Sequence, residues 1–86
     1  YFWVIDMQEF DNSERFSNLS FAICYYRKKA GYTQEQLAEE LDISRQHLAA
    51  VESPNMERKP SVDLLFNIAN VLNIEPYILL KFNPEN

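Results

Sequence analysis

The sequence predicts an all-α domain of five helices behind a short extended N-terminal arm. Three observations carry that expectation. Apolar residues recur at spacings of three and four, the period of one helix face. A Ser, a Thr or a Pro stands at each helix start. Gly31, Asp42 and Asn73, residue types that tolerate a left-handed backbone, stand where the first, second and fourth stripes end.

The first helix is expected over about 14–30, with Ser13 as its N-cap. Phe16, Leu19, Ile23, Tyr26 and Ala30 form its core stripe. Gly31 ends it and apolar Tyr32 follows, as in a Schellman stop. Phe21, Cys24 and Tyr25 fall off the stripe and are expected to lie under the arm, residues 1–12. That arm opens on the β-prone run Tyr1-Phe2-Trp3-Val4-Ile5. It reads as a strand, as a packed arm, or as sequence foreign to the domain ahead of Met7.

The second helix is expected over 34–41. Thr33 and Gln36 make a capping box, and Leu37, Ala38 and Leu41 give the apolar face. Ser44 caps a third helix, 45–52, whose buried stripe is Leu48 and Val51. Neither is long enough to be stable alone. Together they read as a helix-turn-helix, with the second helix steeply inclined to the first. Arg45, Gln46, His47, Ala49 and Ala50 then face away from the core. Long polar side chains at the start of such a helix suit base edges in a major groove.

Ser61 caps a fourth helix, 62–72, with Asp63 in its first turn, where the helix dipole favours an acid. Val62, Leu65, Ile68, Ala69 and Leu72 are expected to face inward. Pro76 opens a fifth, 76–81, rich in apolar residues. The domain is thus expected over 13–82, with 83–86 frayed. Leu64, Val71, Ile78, Leu79, Leu80 and Phe82 exceed what such short helices readily bury. With Phe2, Trp3 and Ile5 they are candidates for a homodimer face.

Composition narrows the function. The chain has 86 residues, 47% of them hydrophobic, which is one ordinary globular domain. One Cys permits no intrachain disulfide, and one Cys with one His makes no metal site. No cofactor is expected. No apolar run is long enough for a membrane span and no signal peptide is evident, so a reducing cytoplasm is expected. Cys24 and His47 could suggest a nucleophile and base, but no oxyanion-hole loop accompanies them, and no enzyme is expected. The net charge of -5 is unfavourable for phosphate contact. It is unevenly spread. Residues 27–59 hold six bases and six acids, residues 1–26 carry -3 and residues 61–86 carry -2.

The chain resembles the Cro/CI-type, or XRE, helix-turn-helix family of bacterial and phage regulators. The resemblance runs over roughly residues 19 to 80. It is carried by Arg27-Lys28-Lys29-Ala30-Gly31-Tyr32-Thr33-Gln34, Leu37-Ala38, Leu41, Ile43-Ser44, Leu48, Val51-Glu52, Pro60-Ser61, Ile68-Ala69 and Leu72. It implies a lambda-repressor-like fold and sequence-specific binding of double-stranded DNA, most simply by a repressor. It implies an ion pair between Arg27 and Glu52, and a Gln34 that touches phosphate while bracing the third helix. Thr33 and Ser44 join Gln34 as phosphate candidates. The family loop after the third helix usually runs Glu-Asn-Gly, then bases and Pro. Here Glu52-Ser53-Pro54-Asn55-Met56-Glu57-Arg58-Lys59-Pro60 lacks Asn-Gly and is longer, which leaves Arg58 and Lys59 as its phosphate candidates. Two rivals stand beside this reading. One is an antitoxin that binds DNA and a toxin. The other is a protein-interaction module that kept the fold and lost DNA.

Overall fold

The computed structural model describes residues 10–84. They form α1 (Ser13–Lys29), α2 (Gln34–Leu41), α3 (Arg45–Glu52), α4 (Val62–Leu72) and α5 (Pro76–Leu80), with no strand among them. The expectations for Tyr1–Ile5 lie outside the described residues. So does any covering of Phe21 and Tyr25 by that segment. Both side chains are about half exposed.

One core unites the five helices, and each supplies a fully buried residue: Ile23, Leu37, Leu48, Ile68 and Leu79. Burying a side chain of this size stabilises by about 1.5–3 kcal/mol. That is how helices of 5 to 17 residues, mostly marginal alone, hold one another in place.

Local chemistry sets the boundaries. Thr33 Oγ1 accepts from the Gln36 backbone N–H at 3.0 Å, and Gln36 Oε1 accepts from the Thr33 N–H at 3.0 Å, a complete capping box. Ser61 Oγ caps α4 by accepting from the Leu64 N–H. Ser13, expected to cap α1, is instead its first helical residue, and the cap position falls to Asn12. Asp11 Oδ1 accepts from the Ser13 N–H at 3.0 Å. Hydrogen bonding to Ser13, side chain and backbone, holds the Asp11 carboxyl below its ordinary range.

Three helix ends share one stop. Gly31, Asp42 and Asn73 have φ of 86°, 58° and 58°. After each, an apolar N–H reaches back five residues: Tyr32 to the Arg27 carbonyl, Ile43 to Ala38 and Ile74 to Ala69. These are Schellman closures, and they turn the apolar follower inward to pack on the core.

The structure corrects the apolar assignments in α4 and α5. Leu64 and Leu79, expected at a dimer face, are 7% and 1% exposed and belong to the domain's own core. Val62, expected inside, is exposed. Asp63, Asn67 and Asn70 line one exposed stripe of α4, and the apolar residues fill the wide remaining arc, with Val62 and Leu64 at its two edges. Packing against α2, α1 and α5 selects the row through Leu64, Ile68, Ala69 and Leu72. Val71 and Phe82 are half-buried against the core, and Ile78 is half-buried as well. Phe82 folds the chain end back onto α1, its ring 5.5 Å from Tyr25 and 6.0 Å from Tyr26.

Candidate nucleic-acid interface

The residues from Ser44 to Ala50 hold a set orientation because both ends of α3 are fixed. At its start, Ser44 Oγ accepts from the His47 N–H at 3.0 Å. Along its inner side, Leu48 and Val51 are fully buried. At its last residue the Glu52 carboxylate joins three elements. Arg27 Nε donates to Oε2 at 2.8 Å and Arg27 Nη2 to Oε1 at 3.0 Å. Gln34 Nε2 donates to the same Oε1 at 3.0 Å. Arg27 Nη1 also donates to the Tyr32 carbonyl at 2.8 Å, holding the α1–α2 turn.

This cluster is buried, with the Arg27 and Glu52 side chains 8% and 2% exposed. No buried side-chain nitrogen or oxygen among the described residues lacks a partner. Burial alone would lower the Arg27 pKa, but the hydrogen bonds and charge of Glu52 outweigh it and raise it. The guanidinium is therefore committed to the fold. Its geometry is bidentate, the arrangement that best fixes relative orientation.

With its inner side so held, α3 turns Arg45 and Gln46 fully outward, and His47, Ala49 and Ala50 lie half-exposed beside them. Arg45 and Gln46 have no hydrogen-bond or ionic partner among the described residues. Thr33 and Ser44 each use their hydroxyl oxygen as an acceptor for a cap, which leaves the hydroxyl proton to donate outward. Gln34 uses one amide N–H on Glu52 and keeps a second N–H and its oxygen.

The loop candidates part company. Arg58 is tied to α3, its backbone N–H donating to the Ala50 carbonyl at 3.4 Å. Lys59 turns toward α1, with Nζ 4.6 Å from the centre of the Phe16 ring. A residue that the sequence pattern did not single out precedes them in the loop. Met56 is 4% exposed and packs in the core. Its signal was a lone apolar side chain in a polar loop.

Cys24 and His47 do not meet. Cys24 Sγ lies 3.6 Å from Arg27 Nη2, whereas His47 sits on the outer side of α3. No helix among the described residues is long and apolar enough to cross a membrane.

Comparison with known proteins agrees with this arrangement. The helix-turn-helix family profile matches residues 25–79, which span all of α2, α3 and α4. The chain is 32% identical over 60 residues to the HTH-type transcriptional regulator SinR of Bacillus licheniformis. That match covers 70% of this chain and 53% of the relative, so the chain spans about half the length of the curated relatives it matches. Among solved structures, SinR in complex with DNA superposes with a TM-score of 0.66 at 30% identity, covering 73% of this chain and 98% of that one. The restriction-modification controller protein C.AhdI from Aeromonas hydrophila gives 0.68 at 26% identity, covering 74% and 94%.

Proposed function

The chain belongs to the helix-turn-helix family, and on that premise we propose that it is a sequence-specific DNA-binding transcriptional regulator, acting as a repressor in the cytoplasm. The observation that carries the reading is the pairing of rigidity with free polar groups on α3. The helix is fixed through Glu52, and its exposed first turn presents Arg45 and Gln46 with no protein partner among the described residues. Arg matches guanine O6 and N7, and Gln matches adenine N6 and N7. His47, Ala49 and Ala50 lie behind them, small enough at 49 and 50 for close approach to a thymine methyl. Thr33, Gln34, Ser44 and Arg58 flank this face as phosphate donors, and Lys59 would have to leave Phe16 to join them. No catalytic role is assigned to any residue.

The test is selection of duplexes from a random pool, followed by anisotropy titration of the winner against a scrambled duplex. A regulator of this kind binds its site at least about 10³-fold more tightly than random sequence. Equal affinity for both duplexes would remove the reading.

The acid excess supports one alternative. A chain of net charge -5 gains little from the phosphate backbone at one half-site. A protein-interaction module that kept the fold and lost DNA would carry no such penalty, whereas an antitoxin that binds DNA and a toxin would share it. Such a module would select no duplex in the same assay.

A further inference from the structure

We propose that Met56 is a positioning residue for DNA binding: its buried side chain pins the α3–α4 loop so that Arg58 meets the phosphate backbone beside the reading helix. The inference rests on the DNA-binding reading above and names a part of that interface.

Met56 is the one buried residue between Ser53 and Pro60, a stretch otherwise exposed or half-exposed. It shares the core cluster with Leu48 and Val51 of α3. Its φ is +43°, a backbone region that suits Gly or Asn far better than a side chain branching into a core. Asn55 stands immediately before it and does not take that conformation. A methionine keeps such a backbone only where its surroundings over-determine it, and here the buried side chain does so.

The hydrogen bonds of the loop close around that anchor. The Met56 N–H donates to the Ser53 carbonyl at 2.8 Å. The Glu57 N–H donates to Ser53 Oγ at 2.9 Å, and that hydroxyl donates to the Ala50 carbonyl at 3.0 Å. The Arg58 N–H then reaches the same Ala50 carbonyl at 3.4 Å. The backbone of Arg58 is thus tied to the last turn of the helix whose first turn carries Arg45. Lys59, one residue on, is drawn to the Phe16 ring instead. The anchor therefore selects which of two adjacent cations stays beside α3. It acts through Arg58 and touches no DNA itself.

The experiment measures binding of wild type, Met56→Ala, Met56→Leu, Met56→Gly, Arg58→Ala and Met56→Ala/Arg58→Ala to a selected duplex. Salt is varied from about 50 to 200 mM, and circular dichroism confirms that each variant is folded. Loss of one phosphate contact flattens the plot of log K against log salt by about 1. Arg58→Ala is expected to do this. Met56→Ala and Met56→Gly are expected to do the same, although glycine relieves the backbone, because the side chain is what holds the loop. Met56→Leu keeps the wild-type slope. The double variant is no flatter than Arg58→Ala, and base preference is unchanged throughout. A wild-type slope in Met56→Ala, or a double variant flatter than either single, would overturn the proposal and leave Met56 as a core residue only. Wild type without affinity for any duplex would overturn the DNA-binding reading, and this inference with it.

Discussion

Arg27 and Arg45 carry the same charge and opposite assignments, and burial separates them. Arg27 spends its guanidinium on Glu52 and the Tyr32 carbonyl, whereas Arg45 is exposed. Glu52→Ala removes one partner of a buried pair and strands the other, so it should destabilise the fold by about 3–5 kcal/mol in urea denaturation. Replacing both residues, as in Arg27→Met with Glu52→Leu, should cost much less than the sum of the single changes. Additive losses would mean that the two charges are not coupled. Arg45→Ala should leave stability within about 0.5 kcal/mol, as for a surface change. It should weaken binding to a selected operator by about 1–3 kcal/mol and relax preference at one base pair. Unchanged affinity and preference would show that α3 is not the reader. Lys59→Ala serves as the contrast. It gives up a cation–π contact with Phe16 and should leave base preference intact.

At the scale of helices, caps and stops were the most legible part of the chain. Thr33 with Gln36, Ser44 and Ser61 are local signals, satisfied within three residues, and the structure uses each one. Asp42 and Asn73 were equally readable, because few residues other than Gly sit at φ of 58°. They are also compromises. Asp42→Gly and Asn73→Gly should each stabilise the domain by up to about 1 kcal/mol, since the left-handed backbone costs a residue with a Cβ more than it costs glycine. Thermal unfolding of the two variants checks this, and a lower midpoint in both would show that their side chains contribute more than their backbone costs. What sequence could not give was orientation. The inward row of α4 runs through Leu64 rather than Val62, because the polar stripe of Asp63, Asn67 and Asn70 fixes only the outer face and the neighbouring helices choose which edge of the wide apolar arc is covered. Ser13 lies one residue inside α1 because the Asn12 carbonyl already accepts from the Phe16 N–H, while Asp11 takes the otherwise unpaired Ser13 N–H. The loop was least legible: Met56 takes a left-handed backbone while Asn55, a residue type that tolerates it better, does not, and the burial of the Met56 side chain accompanies the choice. The Glu52 cluster was half legible. The resemblance gave the pairing with Arg27 and the bracing by Gln34, but the bond from Arg27 to the Tyr32 carbonyl needed coordinates.

At the scale of the molecule, charge and apolar surface point the same way. With a net charge of -5, a single domain gathers few favourable phosphate contacts, so useful affinity is expected to come from two half-sites read together. The surface offers a place for the second copy. Removing Leu64 and Leu79 from the dimer candidates shrinks the original patch but does not abolish it. Leu80 is 67% exposed, and two shallow grooves meet at Phe82, one reaching Leu80 and Leu19, the other Phe21, Tyr25 and Pro84. That strip joins α5 to the outer side of α1 and contains none of the residues assigned to DNA. A two-fold dimer across it would set half-sites about one turn of DNA, roughly 34 Å, apart. Wild type is expected to sediment as a dimer at micromolar concentration, and Leu80→Glu as a monomer. Because residue 80 is exposed, the fold should lose no more than about 0.5 kcal/mol. The variant should keep its affinity for an isolated half-site and lose the advantage of the paired site. Monomeric wild type would remove the strip from the argument. A dimeric Leu80→Glu would place the interface elsewhere on the molecule.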